Sequence, residues 1–210
     1  MIVTRIDSIN QKKSKVYIEE QLAFVLYKGE LSRYRIKVDK ELPKEIYEEI
    51  VEQILVKRAK KYCLNLLQSL DRTEEQLRRK LKDKYYPEEV IKRAIEYVKS
   101  YGYIDDSSYA NRYIECYKER KSRQQILLDL MKKGIKRSII DDVYEEKLPQ
   151  DETLMIQRLY EKKVGTKTEL SEKEKQKLYM FLMRKGFSSA DIIRVMRESR
   201  ENLNVDEGFA

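Results

Sequence analysis

The stretch Tyr101-Gly102-Tyr103-Ile104-Asp105-Asp106-Ser107-Ser108-Tyr109-Ala110 lies near the middle of the 210-residue chain. An apolar stripe at helical spacing precedes it, from Val90 to Val98, and predicts a helix. Gly102 is expected to end that helix, because a residue without Cβ can adopt the left-handed conformation of a helix terminus. Asp105 can cap the next helix, while Asp106 adds negative charge at the positive end of its dipole. The stretch is therefore predicted to be a short, capped corner between two helices.

The two aspartates of this corner also allow a second interpretation. Hard cations prefer carboxylate oxygens, so an adjacent pair suits a magnesium-dependent nuclease. No further acidic ligands are grouped with a catalytic lysine, and capping accounts for both residues, so capping is favoured. With Asp105 as the N-cap, Ile104 and Tyr109 occupy the positions of a hydrophobic staple. The predicted corner motif consists of Gly102, Tyr103, Ile104, Asp105, Asp106, Tyr109 and Ala110.

From Thr73 onward the sequence repeats itself. Three capping-box patterns follow one another at intervals of 49 residues: Thr73-x-x-Gln76, Ser122-x-x-Gln125 and Ser171-x-x-Glu174. Each pattern predicts the start of a charged amphipathic helix, and the turns that end these helices place Tyr85, Gly134 and Gly186 at matching positions. A unit of about fifty residues with three helices cannot bury its apolar face alone, so three stacked units are expected.

The predicted fold is mainly α, with tandem three-helix repeats forming an elongated, curved array and a small N-terminal antiparallel β segment. Short β-branched and aromatic runs predict the β segment, the last of them at Arg35–Val38. Pro43 opens a helical stripe that reaches Leu70 as one helix or two. The predicted divisions are an N-terminal β-rich segment at 1–42, a linker helix with repeat 1 at 43–103, repeat 2 at 104–149, repeat 3 at 150–202 and a frayed tail at 203–210.

Composition narrows the classes of function. The chain has 45 Lys and Arg against 37 Asp and Glu, so its net charge of +8 favours nucleic acid or an acidic protein groove as partner. It has no histidine, which excludes Ser-His-Asp and Cys-His triads and histidine metal sites. Phosphate-binding glycine motifs are absent, and Cys63 and Cys116 are predicted to be small buried hydrophobes. No membrane span or signal peptide is evident, so we expect a soluble, cytoplasmic binding protein without catalytic activity or cofactor.

Basic residues cluster near predicted helix ends, including Arg78–Lys84 and Lys118–Arg123. An extended array would present them as a stripe to a polyanion. Taken singly, each is more simply an exposed charge paired with a glutamate one helical turn away. Direct non-specific DNA binding, and base reading by a helix-turn-helix arrangement, are the alternatives that the residues alone leave open.

The order and spacing of these motifs resemble a known family. Gly102-Tyr103-Ile104-Asp105-Asp106-x-x-Tyr109-Ala110 follows Arg72-Thr73-x-x-Gln76-Leu77-x-x-x-Leu81 and precedes Leu130-x-x-Lys133-Gly134-Ile135. With Phe181-Leu182-x-x-Lys185-Gly186-Phe187, this series is similar to the RecX family of bacterial recombination regulators. The resemblance covers about residues 56 to 200. Within the pattern, Tyr85 occupies the glycine position of the first repeat's turn.

The resemblance implies a regulator of DNA repair and recombination that binds the RecA recombinase, chiefly as a filament on single-stranded DNA. Members of the family usually inhibit filament extension, ATP hydrolysis and strand exchange. A monomer is expected, and a weak direct contact with DNA is compatible with the charge. The predicted contact residues are Arg79, Lys80, Arg112, Arg120, Arg123, Lys133 and Arg137.

Overall fold

A computed structural model describes residues 1–145, 152–165 and 170–206, with side chains up to residue 198 in the last helix. It is mainly helical and has one small N-terminal sheet, so the predicted fold class is confirmed. The described chain divides into two compact units, Met1–Asp106 and Ser107–Ala210. The predicted curvature of the array and the predicted division into five segments stay predictions.

The N-terminal sheet is an antiparallel meander of β1 (Val3–Ser8), β2 (Lys13–Ile18) and β3 (Gln21–Tyr27) in the order β1-β2-β3. Alternate residues of β2 are buried, as expected for a sheet that covers a core with one face. The sheet shares its core with the first helices of the chain, through side chains such as Phe24 and Leu26. This shared core stabilises a sheet that is too small to be stable alone.

The prediction of a fourth strand at Arg35–Val38 is wrong. The chain instead forms helix α1 (Lys28–Arg33) and leaves it through a turn in which Arg35 has a φ of +54°. The amide of Ile36 bonds back to the carbonyl of Leu31 at 2.9 Å, which satisfies the end of the helix. Ile36 is buried and anchors this turn. An apolar residue within a short β-branched run suggests a strand from sequence alone, which explains the wrong prediction.

The helical stripe after Pro43 is continuous, which resolves the question of a break. Helix α2 (Lys44–Glu49), a π-helical segment (Ile50–Val56) and α3 (Lys57–Ser69) follow one another without interruption. Pro43 stands at the N-cap, one residue before the helical position predicted for it. Four residues of the π-helical segment are buried: Ile50, Val51, Leu55 and Val56.

Three three-helix units account for the rest of the described chain. The first comprises α3, α4 (Glu74–Lys82) and α5 (Glu88–Ser100). The second comprises α6 (Asp106–Tyr117), α7 (Arg123–Lys132) and α8 (Arg137–Glu145). The third comprises α9 (Thr153–Val164), α10 (Glu172–Arg184) and α11 (Ser189–Asp206). The backbone of α11 thus enters the predicted tail, whereas residues 207–210 lie outside the described residues.

Each three-helix unit has its own apolar core. The first core merges with the sheet, the second contains Ile126, Leu130 and Ile140, and the third contains Ile156 and Leu182. These residues fall at helical spacing on their elements, so amphipathic patterning places them correctly. The repeats are therefore separate packing units joined along the chain.

Candidate partner-binding surface

The corner begins with a Schellman motif at the end of α5. Gly102 has a φ of +68°, its amide bonds to the carbonyl of Lys99 at 2.9 Å, and the amide of Tyr103 bonds to the carbonyl of Val98 at 2.9 Å. A Cβ at Gly102 would meet nothing within 4 Å. Glycine is thus favoured here by backbone conformation, while space is available for a side chain.

Asp106, the first residue of α6, has a role that the sequence did not indicate. Its carboxylate Oδ1 accepts a hydrogen bond from the backbone amide of Glu74 at 3.0 Å. That amide belongs to the first turn of α4, so Asp106 caps a helix more than thirty residues earlier in the chain. Burial raises the pKa of Asp106, and the hydrogen bond from Glu74 opposes this shift. Asp105 directly precedes α6 at the N-cap position, as predicted.

The second unit of the chain repeats this connection. The carboxylate of Glu152, at the N-cap of α9, accepts a hydrogen bond from the backbone amide of Arg123, the first residue of α7. Burial also raises the pKa of Glu152. In both places a carboxylate at the start of a lead helix satisfies the first turn of the capped helix in the preceding repeat. We call these two contacts the carboxylate joints.

The other corner residues contribute to packing or to an exposed aromatic surface. Ile104 is buried in the first core, whereas Ala110 is buried in the second and Tyr109 packs against it. Tyr103 stacks on Tyr101, with ring centres 5.9 Å apart. Both residues are more than half exposed, Tyr103 at 54% and Tyr101 at 63%. Exposed stacked tyrosines of this kind are common at protein and nucleic-acid interfaces.

A row of tyrosines with two lysines lies in the second three-helix unit. Tyr109, Tyr113 and Tyr117 follow one another along α6, with ring centres 6.5 Å and 4.4 Å apart. Lys133 lies over Tyr113 at 5.4 Å from the ring centre, and Lys121 lies over Tyr117 at 4.3 Å. We call these five residues the tyrosine–lysine row.

An ion pair orders this row. Lys121 Nζ donates to Asp129 Oδ2 at 2.7 Å and to the Tyr113 hydroxyl at 3.1 Å. The hydrogen bond to Asp129 is the main cause that raises the pKa of Lys121, and the same bond lowers the pKa of Asp129. Lys121 therefore remains charged at neutral pH while its position is held by two acceptors. Its ammonium group is an ordered cation beside aromatic rings.

The predicted contact residues are distributed over both compact units. Arg79 and Lys80 lie on α4, where Arg79 Nε bonds to Glu75 Oε1 at 2.9 Å and Lys80 is exposed. Arg112 is exposed on α6, and Arg120 is exposed in the turn that follows this helix. These four residues lie on the surface, as a contact role requires.

The other three predicted contact residues lie at helix ends in the second unit. Arg123 stacks on Tyr144 at 4.4 Å, Lys133 is the C-cap of α7, and Arg137 bonds to Asp141 at 3.2 Å. Of the seven predicted residues, Lys133 belongs to the tyrosine–lysine row. The predicted stripe of all seven stays a prediction.

No contact role is predicted from the sequence for the other four members of this row. Lys121 falls within the basic cluster Lys118–Arg123 and Tyr109 within the corner motif, whereas Tyr113 and Tyr117 belong to neither. The signal was present, because tyrosines four residues apart share one face of a helix. Asp129 could not have been paired with Lys121 from spacing alone, since Lys121 lies in the connection before α7 and Asp129 lies on α7, eight residues later.

The described residues also bear on the predictions for metal ligands and cysteines. Among them, no three His, Cys, Asp or Glu side chains are grouped so that they could hold a metal ion. Cys63 is buried, which raises its pKa to about 11, but Cys116 is exposed, so its predicted burial is wrong. Cys116 lies on the outer face of α6, a position that apolar sequence neighbours did not reveal.

No described helix is long and apolar enough for a transmembrane span.

Comparison with known proteins identifies the family. Models of the first and third three-helix domains of RecX match residues 59–97 and 151–196. A protein of Caldanaerobacter subterraneus subsp. tengcongensis named regulatory protein RecX is 34% identical over an alignment of 200 residues, which covers 93% of this chain and 98% of that protein. The chain belongs to the RecX family. A regulatory protein RecX of Clostridium acetobutylicum is 28% identical, with 93% of this chain and 95% of the relative covered.

Solved RecX structures agree with the fold. A crystal structure of regulatory protein RecX has a TM-score of 0.64 and 24% identity, and it covers 93% of this chain and 98% of its own. That of RecX from Lactobacillus salivarius has a TM-score of 0.61 and 25% identity, with 69% and 96% covered. The two domain models correspond to α3–α5 and to α9–α11, so they match the first and third three-helix units.

Proposed function

We propose that this chain is a non-catalytic regulator that binds the RecA recombinase, chiefly as a filament on single-stranded DNA. It inhibits filament extension, ATP hydrolysis and strand exchange, and it thereby regulates DNA repair and recombination. The observation that carries the proposal is membership of the RecX family, whose relatives across nearly the whole chain are named regulatory proteins.

The architecture supports a mode of binding through several weak contacts. Three-helix units with separate cores present repeated surfaces, and a filament presents repeated subunits. When one contact forms, the others act at a high effective concentration, so the filament should bind much more tightly than free RecA. We propose that the chain acts as a cytoplasmic monomer whose repeats lie in the filament groove. Occupying this groove blocks the second DNA and hinders the subunit motions of ATP turnover.

The tyrosine–lysine row is the surface that we propose as the main contact. Tyrosine and ordered cations are typical of residues that contribute most to binding, because they combine apolar area with polar tips at low entropic cost. The row contains Lys133, one of the seven residues predicted from sequence, and Arg120 lies in the adjacent turn, one residue before Lys121. Charge reversal at Arg120 and Lys133 should therefore weaken inhibition without removing a core side chain.

The DNA-dependent ATPase and strand exchange of RecA test the proposal. The unaltered chain is expected to reduce both, and Arg120→Glu with Lys133→Glu is expected to require about tenfold more protein for the same effect. The matched control is Lys44→Glu with Lys92→Glu, which makes the same change in net charge at two exposed residues outside the predicted set. No effect of the unaltered chain at several-fold excess over RecA would contradict the proposed function. Equal inhibition by both double variants would contradict the proposed surface.

A further inference from the structure

A cleft of about 400 Å³ opens in the first compact unit. Residues of the N-terminal sheet, of α3 and of the turn after α4 line it, among them Lys13, Tyr27, Lys61, Lys84 and Tyr85. This volume is within the range of sites that hold small molecules. The cleft is separate from the tyrosine–lysine row, which belongs to the second unit.

The cations of this cleft differ from those on the neighbouring helices. On α4 and α5, Arg78, Arg79 and Arg93 each bind a glutamate. At the cleft, Lys13 lies over the Tyr27 ring at 4.9 Å and the adjacent Lys15 lies over the Tyr85 ring at 3.9 Å. A lysine ammonium has three N–H donors, so one that rests on a ring face can still donate to another acceptor.

The charge balance of the cleft is positive. Lys13, Lys15, Lys61 and Lys84 form no ion pair with any carboxylate that the structure describes. Arg58, also in the lining, binds Glu30 and lies over Tyr27 at 4.7 Å, so it helps to hold that ring in place. Among the described lining residues, Asp83 supplies the one carboxylate. An anionic ligand therefore fits this cleft.

Tyr85 supplies a second, independent observation. Its φ is +62°, and the matching positions of the other two repeats are Gly134 and Gly186, with φ of +89° and +82°. A tyrosine is strained in this left-handed conformation, whereas a glycine adopts it without strain. The turn nevertheless carries the side chain of Tyr85, a residue that is 43% exposed at the rim of the cleft, with Lys15 over its ring. Backbone strain that delivers an exposed ring to a cationic cleft indicates a binding role.

We infer that this cleft binds a segment of single-stranded nucleic acid, with a base stacked on the face of Tyr85 that Lys15 does not cover and neighbouring phosphates held by Lys13, Lys61 and Lys84. Lysines alone would accept any polyanion, but tyrosine faces complement bases, which an acidic peptide lacks. A duplex keeps its bases stacked inside, so it offers phosphates without base faces. Binding should be nearly independent of sequence, because every base has a π-face. The N-terminal sheet thereby contributes a DNA-binding wall, and this inference does not require RecA.

The test is fluorescence anisotropy of a labelled oligothymidylate with the full chain, without RecA, at a series of salt concentrations. Lys13→Glu with Lys84→Glu should lower the affinity about tenfold or more and reduce the slope of log affinity against log salt, which is about 0.7 per phosphate contact for single strands. The matched control, Lys44→Glu with Lys92→Glu, has the same net charge and should bind nearly as the unaltered chain does. Equal losses in the two double variants would overturn the inference, because net charge alone would then explain binding.

Tyr85 gives a sharper test, because binding and stability should move in opposite directions. Tyr85→Gly should raise the melting temperature by removing strain and lower the affinity several-fold by removing the ring. Tyr85→Phe should retain the affinity, since its ring still stacks. Unchanged affinity in Tyr85→Gly would overturn the role of the ring. Competition by polyglutamate as effective as that by oligothymidylate would show an acidic-peptide site instead, and equal affinity for duplex DNA would overturn single-strand recognition.

Discussion

The turn after α4 and the turn after α10 share one backbone geometry and differ in what surrounds it. Both have a residue with positive φ, and in both the next amide bonds back to the helix, at 3.3 Å for Tyr86 and 3.4 Å for Phe187. In the first turn the left-handed residue is Tyr85. In the second it is Gly186, and a Cβ there would lie 2.8 Å from Ser122 Oγ. A positive φ alone therefore does not require glycine, since the first turn accepts a strained tyrosine. The second turn requires glycine because it has no room for an added atom.

The largest effect is expected at Gly186. Gly186→Ala combines backbone strain with an overlap against Ser122 Oγ and against Gln124 Cβ at 3.1 Å. We expect a loss of about 3 kcal/mol in the free energy of unfolding, measured by chemical denaturation. Gly102→Ala is the matched control, because Gly102 has a similar φ but open space, and it should cost about 1 kcal/mol. Equal losses would show that the close approach of Ser122 has no energetic consequence.

Ser122 lies on the other side of that contact and should show the next largest effect. It accepts a hydrogen bond from the amide of Gln125 and donates one to the carbonyl of Lys185 at 2.6 Å, while it is completely buried. Ser122→Ala should therefore cost about 2 kcal/mol, from a lost cap and a carbonyl without its donor. Ser171 caps α10 in the same way but is exposed, so Ser171→Ala should cost about 1 kcal/mol or less. Denaturation of the two variants measures the difference, and a larger loss at Ser171 would contradict it.

At Tyr85 the change should be smaller and of opposite sign. Tyr85→Gly removes the strain of the left-handed residue and also the contact with Lys15, so a net gain of about 0.5 kcal/mol is expected. Thermal unfolding followed by circular dichroism measures the change. A loss of stability would indicate that the ring contributes more to packing than its exposure suggests.

The smallest effect concerns the pH dependence of the carboxylate joints. Burial raises the pKa of Asp106 and of Glu152, so the folded state binds these protons more tightly than the unfolded state does. Their contribution to stability is therefore lost as the pH rises from the ordinary carboxylate pKa through the raised one. Asp106→Asn and Glu152→Gln keep an acceptor oxygen and cannot ionise. Their unfolding free energies should decline less than that of the unaltered chain between acidic and neutral pH, and parallel curves would contradict this.

Local signals in the sequence predicted much of the fold. Thr73 and Ser171 form complete capping boxes as their spacing indicates, and Ser122 accepts from the amide of Gln125, since a cap depends on residues three positions apart. Arg35–Val38 was misassigned because a short β-branched run also suits the buried anchor of a helical turn. Local periodicity cannot separate the two when only one residue is buried.

The candidate surfaces were less predictable, because they depend on contacts between distant segments. The sequence identified Asp106 as a helix-terminal charge but could not show that it bonds to Glu74. Likewise, nothing local connects Lys15 with Tyr85, seventy residues later, or Lys121 in the connection before α7 with Asp129 on that helix. Charge counts indicated an anionic partner, and only the fold shows which cations rest on tyrosine rings.

The carboxylate joints also determine where this chain can be divided into parts. A fragment that ends with α8 would carry Arg123 and the buried Ser122 but would lack Glu152, so the first turn of α7 would lose an acceptor. A fragment that ends just before Asp106 would remove the acceptor of the Glu74 amide in the first turn of α4. The first and second repeats are each completed by the first residues of the one that follows, so the unit suited to expression, transplantation or recombination between relatives extends into the next lead helix. Boundaries drawn in the loops between repeats would separate α4 and α7 from these acceptors.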